Sequence, residues 1–192
     1  MTNTTSYLGL CYHYIRSRQS QKDFPRILGS SQEEFIKHVE ALKKQFRIID
    51  PKELIDLHYG KHTLQDARPG ILVTFDDGLS DHYLAAQILN SLGINALFFV
   101  PTCVFSENLP ANPIIIHYGI AIFGVKYFLE VYNHIVSNEN LSEHQILYNN
   151  RLDPWEIIKR LNQSLNMNYI TLHLEKYSWK YTTYYYSRMH TT

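Results

Sequence analysis

Asp76 and Asp77 are adjacent carboxylates at the end of an apolar run, Ile71-Leu72-Val73-Thr74-Phe75, and Gly78 follows them directly. A short run rich in β-branched residues predicts a strand buried on both faces, as in a parallel sheet. Acids at the carboxyl end of such a strand stand in the crevice where open and barrel α/β folds bind their ligands. Side chains alternate along a strand, so the two acids diverge, and one can hold a metal while the other faces a water. Unpaired neighbouring carboxylates repel in a half-buried site, and a nearby cation is the simplest relief. Gly78 lets the backbone turn sharply behind them without a side chain blocking the site. The plainer reading of the pair is a helix cap with a structural hydrogen bond.

His13 ends the first predicted strand, and in a barrel it would face the same rim as Asp76 and Asp77. There it would contact substrate or orient an acid; the plainer alternative is a histidine bonded to a backbone carbonyl. Asp81 and His82 open the helix after the acid pair, where Asp81 is most simply the N-cap. His58-Tyr59-Gly60-Lys61-His62 has the spacing of a helical metal motif. It holds a glycine where such a helix wants none, and a loop reading is preferred. His38, His117, His134, His144, His173 and His190 are read as surface or helix-face residues. Cys11 and Cys103 make no disulfide framework and lie in or beside apolar strand candidates, as inert buried thiols do.

The elements that must position these residues follow from pattern. Tyr7 to Tyr14 predicts a first strand, and Arg16 to Gly29 a polar loop. Ser31 and Glu34 form a capping box ahead of Phe35, Val39, Leu42 and Phe46, which keep helical spacing. Pro51 opens a short helix through Leu57. A helix from about Tyr83 to Leu92 ends at Gly93, and Ala96 to Val100 is a third strand stopped by Pro101. Strand, helix and strand at this spacing make a βαβ unit on a parallel sheet. Ile114 to Val136 is a long apolar stretch, interrupted by His117, Lys126, Glu130, Asn133 and His134. A buried or amphipathic helix is expected there in preference to a membrane span. Asp153-Pro154-Trp155-Glu156 starts a further helix with Ile157, Ile158, Leu161 and Leu165 on its apolar face. Tyr177 to Thr192 has neither period and is expected to be irregular.

Thr74-Phe75-Asp76-Asp77-Gly78 resembles the Thr-Phe-Asp-Asp-Gly signature of the polysaccharide deacetylases, carbohydrate esterase family 4. Leu10-Cys11-Tyr12-His13 resembles the Tyr-His that ends the first strand in many members. Phe35 to Phe46 with Ile48 to Leu54, and Ala86 to Pro101, resemble the elements flanking the motif. The resemblance covers residues 7 to 110. It implies an α/β fold, here a partial (β/α) barrel of the deacetylase type with a helical insertion and an irregular C-terminal tail. The implied reaction is metal-assisted hydrolysis of N-acetyl groups on a polysaccharide or amino sugar. On the family's pattern Asp76 is the general base and Asp77 a ligand of a divalent metal, zinc or a similar first-row ion. His13 would lie beside substrate. A backbone N–H would stabilise the oxyanion and a histidine would protonate the leaving amine.

The family's His-Ser/Thr-x-x-His ligand motif has no counterpart after the third strand, since no two of the downstream histidines have that spacing. The Arg-x-Pro and terminal Leu-x-His patterns are absent too. The expectation is a chain truncated before its histidine ligands, with residues 1–112 as the deacetylase core and 113–192 as the insertion and tail packed on the same domain. The alternative is a non-catalytic remnant that binds carbohydrate or acts as a scaffold. Phosphoryl-transfer readings fit poorly: a receiver domain places its acids after the first strand, and the haloacid dehalogenases need a residue between theirs.

Composition bounds the rest. At 192 residues with 45% apolar and 14% aromatic content, the chain can bury a sizeable core and is not of the disordered class. A formal net charge of zero calls for no nucleic acid or anionic membrane. The expected partner is an acetylated amino-sugar polymer or oligosaccharide. An incomplete barrel would leave an open edge and apolar surface, so self-association is expected. Met1 to Ser6 lacks a basic and apolar leader, which makes cytoplasm the default, with association at the cell envelope as in many deacetylases.

Overall fold

A computed structural model describes residues 7–61, 68–106, 111–147 and 154–164, without the side chains of 154, 155, 162 and 164. His62, Asp153, Leu165, His173, His190 and the tail from Tyr177 lie outside the described residues. The chain divides into two compact units, Met1–Asp23 with Leu28–Thr102, and Phe24–Ile27 with Cys103–Thr192.

The first unit is a mixed α/β unit with a parallel sheet. Its elements in order are β1 (Tyr7–Tyr12), β2 (Ile15–Arg16), α1 (Arg18–Asp23), β3 (Ser30–Ser31), α2 (Gln32–Gln45), β4 (Arg47–Ile48), α3 (Pro51–His58), β5 (Gly70–Phe75), α4 (Asp81–Ser91) and β6 (Leu97–Phe98). Every residue of β5 is buried, as its continuous apolar run requires. β1 runs parallel to β5 along its whole length, from Tyr7 opposite Gly70 to Tyr12 opposite Phe75. β4 pairs with the start of β5 and β6 with its end, both in parallel. Because β1 occupies one edge of β5 throughout, β4 and β6 share the other. Among the described residues this sheet is open.

The core lies on one face of the sheet. Val73 and Phe75 of β5 and Tyr12 of β1 pack with Phe35 and Val39 of α2 and Ala85 and Leu89 of α4. Tyr12 meets Phe35 edge-on at 5.0 Å and stacks beside Phe75 at 5.5 Å. The capping box of α2 is complete: Ser31 Oγ accepts from the Glu34 N–H at 3.2 Å, and Glu34 Oε2 accepts from the Ser31 N–H at 2.7 Å. Asp50 caps α3 through the Lys52 N–H at 2.8 Å, and Gly93 ends α4 at φ +68°.

Four expectations change in detail. The first strand stops at Tyr12. The polar stretch after Arg16 contains the short helix α1, whose side chains are all unburied, so no apolar period announces it. The third strand contracts to Leu97–Phe98, although the Phe99 N–H still donates to Phe75 O at 2.7 Å. Asp81 is the first residue of α4 and not its cap; Ser80 holds the cap position in a helical conformation without a side-chain bond.

The second unit holds α5 (Cys103–Ser106), α6 (Asn112–Phe123), α7 (Val125–Asn138), a 3-10 turn at Ser142–His144, and α8 (Pro154–Ser164). Gly124, at φ +82°, divides the long apolar stretch into α6 and α7. Among the described residues no helix is long and apolar enough to cross a membrane. Ile115, Ile116, Phe128, Tyr132, Ile157 and Leu161 are part of its core. α6 and α7 approach so closely that a Cβ on Gly119 would lie 2.4 Å from Phe128 Cε2. Asn133 closes the unit's loop, accepting from the Ile146 N–H and donating to Ile146 O, both at 2.8 Å.

Candidate active site

Strand register assembles the site. Cys11 stands opposite Thr74 in the ladder between β1 and β5. Their neighbours Tyr12, Val73 and Phe75 point into the helix-covered core, so Cys11 and Thr74 face the other side of the sheet. Carrying the alternation past the strand ends puts His13 and Asp76 on that same face. The structure brings them together: His13 Nε2 lies 3.2 Å from Asp76 Oδ1 and 3.9 Å from Asp77 Oδ2. The sequence-predicted trio of Asp76, Asp77 and His13 is therefore a spatial cluster at the carboxyl end of β5.

Asp76 is held in an unusual balance. Its side chain is 40% exposed, yet Oδ1 itself is enclosed and has no hydrogen-bond partner. The 3.2 Å approach of His13 is an ion-pair distance without hydrogen-bond geometry. Asp77 adopts φ +69°, a left-handed backbone that carries a steric cost for any residue but glycine. Burial, reinforced by the charge of Asp76 and opposed by His13, raises the Asp77 carboxyl above its ordinary range. Gly78 continues the turn at φ +63°, where a Cβ would stand 2.8 Å from Val100 Cγ1. No other residue fits that turn unchanged.

Cys11 is a correction to the sequence reading. It is exposed and not an inert buried thiol, and its Sγ lies with a ring nitrogen of His13 and a carboxylate oxygen of Asp76 inside a cluster whose atoms are all within 4.8 Å of one another. Burial of the sulfur outweighs a hydrogen bond with Thr74 and, with Asp76 nearby, raises the thiol above its ordinary pKa. Cys103 is partly buried in α5, in the other unit. Among the described residues no other group of three metal-ligating side chains is this close. His117, His134 and His144 belong to the second unit.

Two residues of α4 support the cluster. His82 is buried beside the stacked rings of Phe75 and Phe98, with ring centroids at 5.1 and 6.0 Å. Its Nε2 lies 3.0 Å from His13 O. A carbonyl only accepts, so Nε2 carries the proton and the bond fixes the backbone that presents His13. Burial holds this imidazole below its ordinary pKa, the bond to His13 opposing. Asp81, one residue earlier, has a buried Oδ2 without a hydrogen-bond partner. Its carboxyl is pushed up to about 6 by burial, while Arg16 pulls the other way. Arg16 is fully buried; its Nε donates to Ser20 Oγ at 2.6 Å and its Nη2 to Ser20 O. A pocket of about 320 Å³ bordered by Lys43, Arg47, Arg68 and Asn95 lies by the first residues of β5, and none of the candidate acids lines it.

No family model matches the chain, and no curated protein does. Among solved structures it is similar to IcaB from Ammonifex degensii, at 31% identity and a TM-score of 0.41, over 50% of this chain and 39% of that one. It is similar also to a de-N-acetylase from Aggregatibacter actinomycetemcomitans, at 26% identity and a TM-score of 0.40, over 48% of this chain and 36% of that one. A third is the deacetylase PplD of Streptococcus pyogenes, solved with acetate, at 16% identity and a TM-score of 0.40, over 84% of this chain and 81% of that one. The chain thus spans well under half the length of the first two structures.

Proposed function

We propose that this chain is a metal-dependent hydrolase of the polysaccharide deacetylase type, removing N-acetyl groups from an amino-sugar polymer or oligosaccharide. The observation that carries the reading is the Thr74-to-Gly78 motif at the carboxyl end of the buried β5, with His13, just past the end of the neighbouring β1, against both acids. Residues 1–112 are the deacetylase core in this reading, part of a (β/α) barrel, and 113–192 the helical insertion and tail. The Asp77 carboxylate, with the His13 imidazole 3.9 Å away, suits a divalent ion such as zinc. Asp77 would help hold the ion, which supplies polarisation of the amide carbonyl when bound. Asp76 takes the proton of the attacking water, and His13 orients Asp76 and borders the substrate. The left-handed turn at Asp77 and Gly78 carries the chain away directly behind the two acids.

Acetate release from N-acetylated glucosamine oligomers tests this, with zinc binding followed by calorimetry. Asp76→Asn should lower the rate about 10²- to 10⁴-fold, and Asp77→Ala should weaken zinc binding. Zinc binding without acetate release would favour a non-catalytic carbohydrate-binding role. Neither binding nor release would overturn the proposal for this chain.

A further inference from the structure

We infer that Cys11, His13 and Asp76 form a ligand set for a thiophilic divalent cation, a thiolate–imidazole–carboxylate site supplied mainly by β1. Cys11 is the last but one residue of β1, His13 follows directly after that strand, and Asp76 follows the strand beside it, so all stand on one face. Atoms bound tetrahedrally to zinc at 2.0–2.1 Å are about 3.3–3.4 Å from each other, and a sulfur and a nitrogen ligand about 3.6 Å. His13 Nε2 and Asp76 Oδ1 are already 3.2 Å apart. The sulfur is inside the same 4.8 Å cluster.

A second observation points to an ion. Asp76 Oδ1 is enclosed without a hydrogen bond although an imidazole nitrogen faces it at contact distance. A cation between oxygen and nitrogen satisfies both at once. The donor set selects the ion: one sulfur, one nitrogen and one oxygen suit zinc or cobalt and not the oxygen-seeking magnesium or calcium. Cys11 and His13 are exposed, so the ion enters from solvent, and the thiol gives its proton to solvent as the metal–sulfur bond forms. The binding stands apart from the reaction proposed above. There Asp76 is the base, so an ion held by this set removes it from service and inhibits hydrolysis.

Cobalt titration of the full chain tests the set through the thiolate-to-cobalt charge-transfer absorption in the near ultraviolet. The expected result is a band saturating at one ion per chain, kept in Cys103→Ser and Asp77→Asn and lost in Cys11→Ser. In wild type, bound zinc should also slow alkylation of Cys11 and leave that of Cys103 unchanged, a readout that needs no variant. A band that survives in Cys11→Ser, or no band in wild type, overturns the inference. Cobalt binding without the band, lost in Asp77→Asn, overturns this ligand set and leaves the deacetylase reading standing. The band as expected, without acetate release at any metal level, does the reverse.

Discussion

Asp81 sits in the first turn of α4 with a buried, unpartnered oxygen, and its carboxyl titrates near pH 6 in the fold. An unfolded aspartate titrates at about 3.9. Between those values the folded chain holds a proton that the unfolded chain has released, so stability falls as pH rises through this window. The contribution is full below pH 4 and gone above pH 6. Asp81→Asn lacks this titration, so its stability relative to wild type should rise by about 2 kcal/mol from pH 4 to pH 7. Urea unfolding of both proteins across that range measures it; a constant difference would show that Arg16 fully compensates the charge. The acid pair itself was legible in sequence because a β-branched run stopped at it. Cys11 was not, since its direction depends on Tyr12 facing the core and on register with a distant strand. The available signal was period two: Cys11 shares its parity with His13. His82 was unreadable for a similar reason, because its partner is a backbone carbonyl that only the folded chain brings near.

At the scale of elements, the boundaries set by local chemistry were the legible ones. Ser31, Asp50 and Gly93 behave as their types predict, because caps and left-handed turns are decided within a few residues. Ser31→Ala removes the acceptor for the Glu34 N–H and should cost about 1 kcal/mol in denaturant unfolding. Gly78→Ala meets two obstacles together, the positive φ and the Val100 side chain. It should destabilise by at least about 1–2 kcal/mol and displace the Asp77 turn. A thermal melt unchanged from wild type would show that Val100 yields freely. α1 escaped notice because a helix with no buried residue has no apolar period, and β6 was over-extended because apolar residues continue past its last ladder pair.

For the whole molecule, the parallel sheet was foreseeable, and among the described residues it is open. Among the described residues β1 pairs with β5 alone, and Leu8, an apolar residue of β1, is 63% exposed. An unpaired, apolar edge is a template for another strand. Sedimentation velocity should show mass rising with concentration, and Leu8→Lys should reduce it. A monomer at every concentration would mean that this edge is protected. The long apolar stretch was correctly placed in helices, but the break at Gly124 was missed because a glycine in a helical pattern is ambiguous between interior and end.

The ladder between β1 and β5 also sets a clock. Tyr12 reaches Phe75 only after α1, α2 and α3 have been accommodated between them, so this pairing is among the least local contacts of its unit. Loop-closure entropy must be spent before such a pairing rewards the chain, which slows folding in proportion to its non-locality. β5, buried along its whole length in the fold, therefore waits for a partner made much earlier in the chain. Its cluster of acid, imidazole and thiol comes into being at the same moment as the sheet, and not before.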